Sequence, residues 1–110
     1  LKPNNLTEKE QAFLFRAKEV AELVIEKNRA YGDSFAKAGN FLRLLYPNGI
    51  QPYQYDDALT IVRVFDKMMR IATDKDALGE NPWGDINGYS LLALVTDKAK
   101  KEKKPKRNVW

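Results

Sequence analysis

Apolar residues recur in this chain with the period of an α-helix in four successive segments, and nothing between them alternates as a strand would. Phe13, Ala17, Val20, Ala21 and Val24 make one such stripe. Phe35, Ala38, Phe41, Leu42 and Leu45 make a second. Ala58, Ile61, Val62, Val64, Phe65, Met68, Met69, Ile71 and Ala72 make a third, covering half the circumference, and Gly88, Tyr89, Leu91, Leu92 and Val95 a fourth. Residues 3.6 apart share a helical face, so each stripe must find cover. The expectation is an all-α fold: a compact four-helix bundle with helices at about 7–31, 34–46, 56–73 and 82–102.

Local signals set those limits. Thr7-Glu8-Lys9-Glu10 has the spacing of a capping box, and Lys27 and Arg29 suit a negative helix end before Gly32. Ser34 is placed to cap the second helix, and Tyr46-Pro47-Asn48-Gly49 to end it in a turn. Asp56 and Asp57 favour the start of the third, 74–79 reads as a loop, and Asn81-Pro82 reads as N-cap and first residue of the fourth. Residues 1–96 then form one domain with a flexible arm at 1–6, and 97–110 a basic tail, part helix extension and part disordered.

Charge and residue types narrow the chemistry. The chain carries +4 overall. Lys98, Lys100, Lys101, Lys103, Lys104, Lys106 and Arg107 lie in the tail against only Asp97 and Glu102, so the body is slightly acidic. Such a tail attracts polyanions weakly and in a salt-sensitive way. With no Cys and no His, thiol nucleophiles, structural zinc and Ser-His-Asp triads are excluded. No cofactor is required by any motif; a carboxylate-held Mg²⁺ stays open. No apolar run is long enough for a membrane span, and the polar start Leu1-Lys2-Pro3-Asn4-Asn5 is unlike a secretory leader. A cytoplasmic setting is expected.

Two features point to a site. Arg63, Asp66, Lys67 and Arg70 occupy the polar stripe of helix three at i, i+3, i+4 and i+7. They make either a solvated face paired as Arg63–Asp66 and Asp66–Arg70, or a phosphate-binding stripe. Asp85 falls inside the apolar arc of helix four, where a carboxylate is costly unless it meets a cation, a metal or several donors. Helices three and four are therefore expected to face each other, with Asp85 close to the Arg63/Lys67/Arg70 stripe. Gly88, in mid-helix, implies that a neighbouring helix or a flat ligand comes close. Glu19, Glu22 and Glu26 have the spacing that pairs carboxylates for Mg²⁺, although they project away from their helix's apolar stripe.

Arg29-Ala30-Tyr31-Gly32-Asp33-Ser34-Phe35, Asp66-Lys67-x-x-Arg70 and Trp83-x-Asp85-Ile86-x-Gly88-Tyr89 together resemble an uncharacterised family of small phage-encoded helical proteins, over roughly residues 15–96. That family is distantly similar to MazG-like all-α nucleoside triphosphate pyrophosphatases, where Glu-x-x-Glu and Glu-x-x-Asp hold Mg²⁺. The resemblance puts Asp85 in the place of the last carboxylate and Glu19 and Glu22 in the first pair. Pro82 and Asn81 stand where the acid before Asp85 belongs, so that acid is missing. What it implies is a nucleotide-binding protein acting on host nucleotide pools or defence signals in the host cytoplasm. Arg63, Lys67 and Arg70 would hold phosphate, with Asp66, Asp85, Tyr89, Arg29 and Tyr31 around the ligand. The alternatives are an Mg²⁺-dependent pyrophosphohydrolase, with metal on Asp85, Glu19 and Glu22, and a non-catalytic anti-defence or regulatory interaction module. The apolar flanks Phe15, Leu23, Val64 and Ile71 lead to the expectation of a homodimer.

Overall fold

In a computed structural model, which describes residues 5–102, the chain is four α-helices. They are α1 (Glu8–Ala30), α2 (Ser34–Leu45), α3 (Tyr55–Asp74) and α4 (Pro82–Glu102). Short 3₁₀ turns at Pro52–Gln54 and Ala77–Gly79 flank α3, and no strand forms among the described residues. No helix among them is long and apolar enough to cross a membrane. The expected arm lies partly, and the end of the tail wholly, outside the described residues; α4 does run into the basic segment as far as Glu102.

The caps explain the helix limits. Thr7 Oγ1 accepts from the Glu10 amide at 3.2 Å while Glu10 Oε1 accepts from the Thr7 amide at 2.8 Å, closing the box. Asn81 accepts from the Trp83 amide at 3.0 Å and starts α4. Ser34 is not the cap expected of it: it is the first residue of α2 and is buried, and Asp33 precedes it in the left-handed conformation at φ 59°. Gly32, just before, also has φ +60°, and a Cβ there would lie 2.4 Å from Thr73 Oγ1. Two successive left-handed residues turn the chain sharply, and the absent side chain lets that turn press on the end of α3.

Helix α3 is the hub. It packs along α4, which runs antiparallel to it: Lys100 near the end of α4 pairs with Asp56 at the start of α3, and Lys67 meets Asp85 at mid-length. Its second neighbour is α2, through Phe41 and Phe65, whose rings stack with centroids 4.5 Å apart. The buried apolar core among the described residues is small: Ala30, Ala58 and Phe65.

All four expected helices form, in the expected all-α four-helix arrangement, which is drawn out along one axis because α1 projects from the other three. Helix α1 touches α3 only near its own C-terminal end, where Ala30 is buried and every residue from Glu8 to Arg29 is exposed. The molecule measures 69 × 30 × 27 Å with a radius of gyration of 20.1 Å, against about 13 Å for a compact domain of this length. Periodicity shows which face of α1 is apolar and not which surface covers it. Phe13, Val20 and Val24 are each more than half exposed.

Candidate functional site

The facing surfaces of α3 and α4 hold the residues with the most chemistry. Lys67 lies one turn after Arg63 on α3, and Asp85 one turn before Tyr89 on α4, so antiparallel packing sets two pairs side by side. Lys67 Nζ is 3.3 Å from Asp85 Oδ2, with the lysine side chain 12% exposed and the aspartate 36%. The approach is an ion pair without hydrogen-bond geometry, since Oδ2 is buried and has no hydrogen-bond donor. The guanidinium of Arg63 lies over the Tyr89 ring, 6.0 Å from its centre.

Tyr31 completes the cluster from the α1–α2 turn. Lys67 Nζ donates to its hydroxyl at 3.1 Å and sits 5.3 Å from its ring centre. Burial opposes the charge on Lys67, but the Tyr31 hydroxyl and the Asp85 carboxylate outweigh it and raise the pKa above the ordinary 10.5. A raised lysine pKa means the native state holds the proton more tightly than the unfolded chain. Its stabilising contribution is thus complete below pH 10.5 and is lost as pH rises through the folded value. In urea unfolding followed across pH 9–12 (roughly the range in which lysine titrates), Lys67→Gln is expected to remove part of the alkaline decline. An unchanged profile would show that the ion pair and the tyrosine contact contribute nothing.

Arg70 does not join this cluster. It is fully buried, its Nη2 donates to the carbonyls of Ala77 and Glu80, and its Nη1 is 3.6 Å from Glu80 Oε2. Nε and Nη1 have no hydrogen-bond partner among the described residues. The group expected to grip phosphate instead ties the α3–α4 loop to the end of α3. Helical spacing puts Arg70 in line with Arg63 and Lys67, but the chain reverses directly after α3 and supplies carbonyls within reach of the long side chain. Asp66, half-buried, makes neither expected pair with Arg63 or Arg70.

The remaining expected site residues lie elsewhere. Arg29 lines an open cleft of about 590 Å³ between the end of α1 and the end of α3, with Glu22, Glu26, Thr73, Asp74 and Leu78. Glu19 pairs with Arg16 at 3.4 Å on exposed α1. Glu19, Glu22 and Asp85 are not brought together: among the described residues no three carboxylates converge so as to hold a metal ion. The first carboxylate pair sits on the exposed length of α1, whereas Asp85 sits on α4 beside Lys67 of α3. Gly88 has open space where a Cβ would project, so no helix among the described residues approaches it there.

Sequence reasoning missed one structural pair, Gln51 and Gln54. Their side chains cap the 3₁₀ turn before α3, with Gln54 Oε1 accepting from the Gln51 amide at 3.0 Å. The signal was available, since Gln in the fourth position of a capping box does the work of Glu. The α3–α4 face therefore offers one exposed guanidinium on an aromatic ring, next to a lysine already neutralised by a carboxylate. Comparison with protein-family models, with curated proteins and with solved structures finds no match to this chain.

Proposed function

We propose that this chain is a non-catalytic helical interaction module, acting by presenting uncovered apolar helix faces to a protein partner. The observation that carries this reading is α1, whose Phe13, Val20 and Val24 stripe has no cover from the rest of the described residues. An exposed apolar stripe of this extent is a protein-binding surface in most soluble proteins that carry one. The electrostatics support the same reading, because the cations expected to bind phosphate are mostly committed: Arg70 to loop carbonyls and Lys67 to Asp85. The resemblance to small phage-encoded proteins makes a host regulatory or defence protein the natural heterologous partner.

An apolar-surface dye tests the reading. At low concentration the chain alone should bind the dye and exchange its α1 amides fast, and both signals should fall once a partner covers α1. A chain that binds no dye, with α1 protected at all concentrations, would overturn it.

A second reading is favoured by Arg63 above Tyr89. An exposed cation on a half-buried ring, beside the Lys67–Tyr31 contact, offers partners to both a nucleotide phosphate and a base. Thermal-shift measurements with nucleoside mono- and triphosphates, with and without Mg²⁺, are expected under this reading to raise Tm, and Arg63→Ala to abolish the rise. An equal rise in the variant would place any nucleotide elsewhere.

A further inference from the structure

The exposed stripe on α1 is longer than its apolar members. Glu10, Phe13, Ala17, Val20, Val24 and Lys27 follow one another at alternating spacings of three and four, the seam of a two-helix coiled coil. All six are exposed. Leu14 and Ala21 border the seam on one side, Arg16 and Leu23 on the other. Glu22, Glu26 and Arg29, which line the cleft toward α3, lie on the opposite side of α1, so that cleft leaves the seam open.

The two charged ends of the seam specify what can lie on it. If a second α1 pairs in parallel and in register, Glu10 meets Glu10 and Lys27 meets Lys27. If it pairs antiparallel about a two-fold axis between residues 18 and 19, every seam residue meets a complement. Glu10 then faces Lys27 of the second copy, Phe13 faces Val24, and Ala17 faces Val20. One register centres the apolar segment and matches both charges at once. The flanking cations Lys9 and Arg16 then face Ala30 and Leu23 of the second copy, so no like charges are opposed.

The free groups at each end fit that use. Glu10 spends Oε1 on the Thr7 amide, and its other oxygen is open to a lysine. Lys27 makes no ion pair among the described residues. The accessible surface of 9332 Å² exceeds the roughly 6,000 Å² of a compact protein of this mass, so ample area is free for an interface. A solitary helix is marginal in water without tertiary cover, and a second copy supplies it.

We infer that α1 is the homodimerisation element of this protein, pairing antiparallel with α1 of a second copy so that Glu10 of each meets Lys27 of the other. The inference rests on the interaction-module reading and names its first partner.

Sedimentation equilibrium on the full chain is expected to show a monomer–dimer equilibrium. Lys27→Glu, which sets a second carboxylate against Glu10 at each end of the seam, should raise the dissociation constant at least about tenfold. The charge swap Glu10→Lys with Lys27→Glu should recover most of that loss, with helicity followed by circular dichroism because the swap removes the capping box. The chain has no cysteine, so a spin label at Lys9→Cys reports orientation directly. The labels should lie about 30 Å apart in the antiparallel pair, against about 10 Å in a parallel one. Three results overturn the inference: a short label distance, a dimer indifferent to Lys27→Glu, or a monomer at all accessible concentrations. A monomer that still binds the apolar dye overturns the α1 dimer and leaves the module reading standing; one that binds none overturns both.

Discussion

Replacing Arg70 with Ala is expected to lower the stability of the fold by about 3–4 kcal/mol, the largest loss from any single polar side chain here. Arg70 is fully buried and its guanidinium serves the carbonyls of Ala77 and Glu80. Its removal leaves two carbonyls without that donor, each costing about 1–3 kcal/mol if water cannot reach it, and opens a cavity besides. For a domain of this size the melting temperature should fall by about 15 °C or more. Arg70→Lys should recover only part, because an ammonium lacks the planar fork that spans two acceptors. Calorimetry decides the matter: a loss below about 3 °C would mean the loop holds itself, and Arg70 would return to consideration as a ligand group.

The second large effect is expected at Phe65. Its ring is buried and stacks on Phe41 with a 24° interplanar angle, joining α2 to α3 in a core with few other buried apolar residues. Phe65→Ala should cost about 3–4 kcal/mol, and Phe41→Ala less, since Phe41 is only half-buried. Phe35 is the control. It sits on α2 93% exposed, so Phe35→Ala should stay within about 0.5 kcal/mol. Equal losses at positions 35 and 65 in urea unfolding would show that a contact of the exposed ring dominates and that the α2–α3 stack does not hold the core.

The helices were legible in the sequence because each carries its own start and stop. Thr7 with Glu10, and Asn81 with Pro82, act on backbone groups within a few residues, and such local chemistry does not depend on the rest of the fold. Asp85 was legible for a different reason. A carboxylate in an apolar arc needs a counter-charge, and the nearest supply lay on α3; Lys67 provides it at 3.3 Å. Arg70 was misplaced because helical projection fixes the angle at which a side chain leaves the axis and not where a long one ends. Tertiary closure was the least legible. The stripes on α1 and α3 look alike on paper, yet α3 packs along both α2 and α4 while α1 stays exposed from Glu8 to Arg29. An apolar face destined for another molecule carries the same periodicity as one destined for the core.

The 69 Å length of a chain only 30 Å wide has a hydrodynamic consequence. A rod-like particle meets more drag than a sphere of equal mass, so a single copy should elute from a gel-filtration column ahead of globular standards of 12.6 kDa. Elution volume would then overstate the mass of a monomer, whereas light scattering, which weighs the particle irrespective of its outline, would not.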